Sequence, residues 1–278
     1  MKTQVSFNGK PTLYLISTPI GNLKDMTYRA VEVLDKVDVI YAEDTRVTVK
    51  LLNHYNIKKQ LKMYHSFNEE TASEEILNDL KNGLNVGLCT DAGTPGISDP
   101  GYEVVRKVKD YFNVVSIPGA SAILTALVSS GLIPQPFTFI GFLDKKTSLR
   151  EKQLESFKTI SHTTIYYERA SRIPNLLEEM FKIFGPREVV IARELTKLYE
   201  SFYTFTLGEA ISTIELKGEF VIMVSGSLTK EITSNDIIEK MHSLLQLGYT
   251  KKEAIRLTSE ALNIGKNRVY EEVLNYEK

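Results

Sequence analysis

The sequence has a single cysteine, Cys89, so no disulfide can close within the chain, and the apolar residues around it imply a packed thiol. No apolar run approaches the roughly 20 residues that span a bilayer. The first ten residues lack the hydrophobic centre of a secretion signal. Neither sign of charge is in excess: a net charge of -1 over 278 residues gives no whole-chain hint of nucleic acid or membrane. The four histidines, His54, His65, His162 and His242, are scattered without metal-ligand spacing, so no metal is expected. These absences point to a cytosolic protein that stays out of the membrane.

What is present is an ordinary globular composition, 42% apolar and 25% charged, in a length that suggests about two domains. Strand and helix patterns alternate through the first half. Apolar runs beginning at Leu13, Asp38, Leu61, Val86 and Val114 read as strands with amphipathic helices between them, which implies a mostly parallel sheet covered on both faces. Gly131-Leu-Ile-Pro-Gln-Pro136 interrupts the pattern and reads as a hinge. Beyond it, runs beginning at Phe137, Thr163, Glu188, Ser201 and Phe220 predict a second α/β domain with a mixed sheet. From Ser234 onward the pattern is helical only. The expected organisation is two α/β domains, residues 1–133 and 134–230, and a small helical module, residues 231–278.

The densest motif is Asp91-Ala-Gly-Thr-Pro-Gly-Ile-Ser-Asp-Pro-Gly101, with three glycines and two prolines between a strand and a helix. Glycines let a ligand lie against bare backbone, and prolines stiffen the loop. The spacing of Gly93 and Gly96 is not that of a dinucleotide fingerprint, and no Gly-Lys-Ser/Thr follows. Read structurally, the same run is a turn in which Ser98 or Asp99 caps the next helix and Pro100 enters its first turn. Two more strand ends carry similar loops, Ser17-Thr-Pro-Ile-Gly-Asn22 and Pro118-Gly-Ala-Ser121. In a parallel sheet the three would converge into a pocket rich in backbone donors and poor in charge, suited to an adenosine-type ligand without a phosphate tail.

Glu43-Asp44-Thr45-Arg46 falls at another strand end on the same edge. Asp44 or Thr45 can cap the following helix; equally, a carboxylate there can take a proton or orient a sugar hydroxyl. His65 ends the next strand. In the second domain, Tyr167-Glu168 with Arg172, and Arg193-Glu194-Leu-Thr-Lys197, follow strands and read either as surface ion pairs or as the far wall of a cleft. In the helical module Lys251, Lys252, Arg256, Lys266 and Arg268 form either a solvated face or a surface for phosphates.

Taken together, Leu13-Tyr-Leu-Ile-Ser-Thr-Pro-Ile-Gly-Asn-Leu-Lys-Asp25, Ala42-Glu-Asp-Thr-Arg46, the 91–101 loop, Pro118-Gly-Ala-Ser-Ala122, Gly141-Phe-Leu143 and Ala192-Arg-Glu-Leu-Thr-Lys197 resemble the tetrapyrrole-methylase superfamily. Within it they resemble the branch of 16S ribosomal RNA cytidine 2′-O-methyltransferases, in order, from about Leu13 to Gly226. The resemblance implies a class III S-adenosylmethionine methyltransferase, usually a homodimer, with a folded cofactor in the cleft between two α/β domains. It implies cofactor contacts at Ile20, Gly21, Gly93, Thr94, Ile97, Ser98, Ser121 and Ala122, with Tyr167 and Ala192 from the second domain. Glu43, Asp44 and Arg46 become the expected catalytic group. Arg172, Arg193, Lys197, Lys251, Lys252, Lys266 and Arg268 become expected contacts to 16S rRNA within the small ribosomal subunit. Asp144, Arg169-Ala-Ser-Arg172 and Thr204-Phe205 depart from the family pattern, all in the second domain. Two other readings stay open: a small-molecule methylase acting on a tetrapyrrole, and a non-catalytic ribosome-binding protein.

Overall fold

A computed structural model of the chain describes residues 3–6, 8–209, 214–227, 233–262 and 264–276. The expected boundary at residues 230/231 lies outside the described residues. The chain forms two compact units, Met1–Gly226 and Ser227–Lys278.

The first unit opens with β1 (Thr12–Ile16), α1 (Tyr28–Lys36), β2 (Val39–Ala42), α2 (Thr45–His54), β3 (Gln60–Met63), α3 (Glu69–Lys81), β4 (Val86–Cys89), α4 (Tyr102–Val108), β5 (Asn113–Ile117) and α5 (Ala122–Ser129). The five strands run in the order β3-β2-β4-β1-β5 and every pair is parallel. All four residues of β2 and of β4 are buried, as expected of strands covered on both faces. One core, around Leu13, Tyr41, Ile76, Leu88 and Val104, lies beneath α3 and α4. A second, around Ile16, Leu34, Ile40, Leu52 and Cys89, packs α1 and α2. Cys89 is the packed thiol its neighbours implied, and burial pushes its pKa up to about 12.

The chain continues with β6 (Phe137–Phe142), α6 (Thr147–Phe157), β7 (Thr163–Arg169), α7 (Ile173–Phe184), β8 (Glu188–Arg193), β9 (Ser201–Thr206) and β10 (Glu219–Val224). Their order is β6-β7-β10-β8-β9, with β6 and β7 parallel and the other pairs antiparallel, the mixed sheet expected. Gly141 takes φ +77° at a register shift in β6, a conformation that favours glycine. Ile20, Ala126 and Leu127 of the first half share one apolar cluster with Ile165, Ala192, Val221 and Met223 of the second, so the two sheets meet through a common core.

The second unit holds α8 (Ser234–Gln246), α9 (Lys251–Leu262) and α10 (Lys266–Tyr276). Thr233 and Asp236 close a reciprocal capping box at the start of α8. Ile237, Met241, Leu244, Ala254, Val269 and Val273 form its own core.

Candidate active site

The loops after β1, β4 and β5 are pinned together. Thr18 and Gly93 exchange both backbone hydrogen bonds, at 2.9 and 3.1 Å. Thr18 Oγ1 donates to the Thr90 carbonyl at 3.1 Å, and Ser17 Oγ lies 2.9 Å from Thr94 Oγ1. Gly119 approaches Ser17 so closely that a Cβ on it would stand 2.8 Å from that of Ser17. Gly101 plays a similar part inside the glycine loop, at φ +145° and with room for no side chain beside Gly96. Gly101, not Ser98 or Asp99, is the N-cap of α4, and it offers no side-chain hydrogen bond. Asp99 is thus not engaged as a cap.

These loops form one side of a cavity of about 630 Å³, within the range of roughly 300–1,000 Å³ typical of small-ligand sites. Eight of the ten expected cofactor residues line it: Ile20, Gly93, Thr94, Ile97, Ser98, Ser121, Ala122 and Tyr167. Gly21 and Ala192 stand behind the wall. Gly21 packs under the Lys197 side chain, and Ala192 is fully buried beside Val221, which does line the cavity. The opposite side adds Phe142 and Leu195, which stand inside the motifs Gly141-Phe-Leu143 and Ala192–Lys197, and Phe137, Phe139 and the start of β10, which motif reading does not single out. Phe139 and Phe142 cluster around the Tyr167 ring at 5.0 and 5.5 Å between centroids. They stand three residues apart, which in a regular strand puts them on opposite faces; the register shift at Gly141 brings both rings to Tyr167, and that shift is not visible in the sequence. Burial, reinforced by Asp99, raises the Tyr167 phenol to about 12.

The Glu43–Arg46 edge sits beside this cavity without lining it. Asp44 caps α2 by accepting from the Arg46 amide at 2.8 Å, and its carboxylate also grips the Arg46 guanidinium, the closest approach being 2.6 Å. The guanidinium hydrogen bonds hold the Asp44 carboxyl down to about 2. Glu43 accepts from the Asp91 amide at 3.4 Å, and Asp91 from the Asp44 amide at 3.1 Å. Burial raises Glu43, Asp91 and most of all Asp99, whose pKa stands at about 7 with the Glu43 and Asp91 charges adding to the effect. His65 Nδ1 accepts from the Phe67 amide at 3.3 Å, which shapes the turn after β3.

The expected substrate contacts divide. Arg172 pairs with Glu168 at 2.6 Å. Lys197 bridges Glu194 and Glu219 at 2.9 and 3.0 Å. Arg193 is only 5% exposed; it donates to the Lys217 carbonyl at 2.7 Å and meets Glu215 at 2.9 Å, bracing the wall from inside. In the second unit Lys251, Lys252 and Lys266 line a hollow of about 620 Å³ with Arg256, Asn267 and Tyr270, while Arg268 lies outside that lining.

Comparison with known proteins places this geometry. Residues 12–211 match the model of the tetrapyrrole (corrin/porphyrin) methylases. The chain belongs to that family. It is 42% identical to ribosomal RNA small subunit methyltransferase I of Bacillus subtilis, with 98% of each chain covered. It is 43% identical to the protein of that name from Halalkalibacterium halodurans, over 97% of this chain and 98% of the relative. Among solved structures, the methyltransferase CobJ superposes with a TM-score of 0.59 at 18% identity, covering 81% of this chain and 98% of CobJ. A Thermus thermophilus uroporphyrin-III C-methyl transferase solved with S-adenyl homocysteine gives 0.56 at 17% identity, over 77% and 97%. At such identities the structural likeness speaks for the fold, and the two-sheet methylase-family architecture is the one described above. Among the described residues no helix is long and apolar enough to cross a membrane, and no cluster of side chains suited to a metal ion occurs.

Proposed function

We propose that this chain is an S-adenosylmethionine-dependent methyltransferase of small-subunit ribosomal RNA, and that it methylates the 2′-oxygen of a cytidine in the decoding region of 16S rRNA. The observation that carries the reading is the near-full-length likeness, at 42% identity, to a relative named for small-subunit rRNA methylation. The cavity fits the methyl donor: it is large enough for an adenosine, edged by bare glycine backbone, and walled by aromatic side chains. When bound, S-adenosylmethionine supplies an activated sulfonium methyl.

The chain's own task is then mostly positioning, which is worth effective molarities of roughly 10⁵–10⁸ M for well-aligned reactants. Gly93, Thr94, Ser98, Ser121 and Ala122 hold the donor against the first sheet, and Tyr167 closes on it from the second. Glu43, Asp44 and Arg46 form the edge over which the RNA enters, with Arg46, 87% exposed, meeting a phosphate. Arg172 and Lys197 extend that path, and the helical unit supplies RNA contacts of its own through Lys251, Lys252, Lys266 and Arg268. Arg193 serves the path indirectly by bracing its wall. On this reading the enzyme works in the cytosol on the small ribosomal subunit, as a homodimer; exposed Val128 and Ile133, 75% and 70% accessible, suit an interface between copies.

The test is incubation with methyl-labelled S-adenosylmethionine and purified small subunits, followed by mass-spectrometric mapping of the RNA. Label on the 2′-oxygen of one cytidine is expected. Label in a small tetrapyrrole but none in RNA would overturn the reading.

A further inference from the structure

The turn between β3 and α3 carries the most exposed large apolar side chain among the described residues, Phe67, 96% accessible. Leaving that ring in water forgoes the gain of burial, and the turn around it is firmly built. The His65 amide donates to Asn68 Oδ1 at 2.7 Å, and Asn68 Nδ2 donates to the Met63 carbonyl at 3.1 Å. The Asn68 amide donates to the His65 carbonyl at 2.9 Å, and the Phe67 amide to His65 Nδ1 at 3.3 Å. The His65 ring stands at 66° to the Phe67 ring, with centroids 6.0 Å apart. Tyr28 and Leu198 are nearly as exposed, but a phenol keeps a polar tip in water and a leucine has no π-face.

The turn belongs to the edge on which Glu43 and Arg46 stand. β2 and β3 are parallel with Ala42 opposite Met63, and the Tyr64 amide donates to the Ala42 carbonyl at 2.8 Å, so the chain leaves both strands at one level. At its other end the turn runs into α3, whose first residue, Glu69, accepts from the Gly101 amide at 3.2 Å. The Phe67 turn is thus braced between the charged edge and the end of the glycine loop. β3 lies two strands from β4, which at the usual strand spacing sets the turn roughly 10 Å from the strand that feeds that loop. This is too far out for the ribose that meets the methyl group, and suits a nucleotide beside it. Resting on the functional reading above, we propose that Phe67 is a substrate-binding residue whose ring stacks on an unpaired RNA base flanking the target nucleotide. Every base has a π-face, and exposed aromatic rings are the usual platforms for unstacked RNA bases. Holding a neighbouring base steadies the target ribose without crowding the reacting atoms. The chain around the ring favours a base over a phosphate, because Glu69 and Glu70 follow it and repel anions.

The experiment compares full-length wild type, Phe67→Ala and Phe67→Tyr. It measures binding to purified small subunits over a range of salt, KM for the subunit in methylation, calorimetric binding of S-adenosylmethionine, and oligomeric state by sedimentation. Phe67→Ala should weaken subunit binding by about 5- to 150-fold, the worth of one base–aromatic stack, and raise KM accordingly. Its slope of log K against log salt should match wild type, because no phosphate contact is lost, and its donor Kd should stay within about twofold. Phe67→Tyr keeps the ring and should bind the subunit within about threefold of wild type. Wild-type affinity in Phe67→Ala, an equal loss in Phe67→Tyr, or a salt slope that falls with affinity would each overturn the proposal. So would a change of oligomeric state in Phe67→Ala, which would mean that the ring packs on a second copy of the chain. A wild type that binds the donor but labels no RNA would overturn the functional reading and this inference with it, whereas a Phe67→Ala enzyme that methylates RNA with the wild-type KM overturns the inference alone.

Discussion

The hydroxyls of Ser17 and Thr94 meet at 2.9 Å across 77 residues of sequence. With the paired backbone bonds between Thr18 and Gly93, they fasten the loop after β1 to the loop after β4 and fix the floor of the cavity. Neither hydroxyl is on a reacting atom, so their contribution is to shape. Ser17→Ala removes one hydrogen bond, worth about 1 kcal/mol, and should weaken binding of S-adenosylmethionine by about fivefold in calorimetry. An unchanged Kd would show that the floor holds without this pin.

A different pair holds the second sheet's helices. Arg150 on α6 donates from Nε and Nη2 to the Glu179 carboxylate on α7 at 2.6 and 2.7 Å, and from Nη1 to the carbonyls of Asp144 and Lys145. Arg150 and Glu179 are 6% and 8% exposed. Glu179→Ala leaves the guanidinium buried without its partner and should cost about 3–5 kcal/mol in chemical denaturation. Replacing both residues with apolar side chains of similar volume should cost far less. Equal losses in the single and double variants would contradict the account.

Arg150 illustrates where sequence reading stops. Its segment reads as a charged helix, which is correct, but the partner lies 29 residues away and only the packing of α6 on α7 joins them. The same limit applies to Arg193: a basic residue at a strand end looks available for RNA until β9, β10 and the segment around Glu215 close over it. Period and turn chemistry are legible, because β4, β8 and β9 alternate or run apolar between clear breakers, and the helical pattern from Ser234 onward is realised as α8, α9 and α10. The glycine loops are legible as a pocket because parallel strands put their ends on one edge. The cap of α4 is not. Ser98 and Asp99 are good cap residues by type, yet the tight approach of Gly101 to Gly96 moves the helix start two residues on and leaves Asp99 facing the cavity.

Asp99 makes a prediction about stability that is independent of turnover. Its folded pKa of about 7 lies above the unfolded value of 3.8, because burial penalises the charged form. A raised acid contributes stability that is fully present below the unfolded pKa and is lost as pH rises through the folded one. Wild type should therefore lose stability relative to Asp99→Asn between about pH 4 and 7, by about 1–2 kcal/mol once partial solvent access is discounted. Parallel melting curves at pH 5 and pH 8 measure it. If the gap between the two proteins does not widen toward the higher pH, the carboxylate is better solvated than the loop geometry implies.

The role proposed for the helical unit makes donor binding and RNA binding separable by experiment. Ser227–Lys278 has its own core and its own basic hollow, while every cavity-lining residue lies within Met1–Gly226. Truncation after Gly226 should leave the Kd for S-adenosylmethionine within about twofold and weaken binding to the small subunit by about tenfold or more. In the full chain, Lys252→Glu and Lys266→Glu probe the same idea without removing structure. Removing one lysine–phosphate interaction should lower the slope of log K against log salt by about one, uniformly across RNA sequences. Lys252 and Lys266 lie on successive helices of one hollow, so the double variant should lower the slope by about two. A double variant whose affinity falls while its salt slope stays at the wild-type value would mean that the hollow reads something other than phosphate, with Tyr270 at its edge as the side chain to examine next.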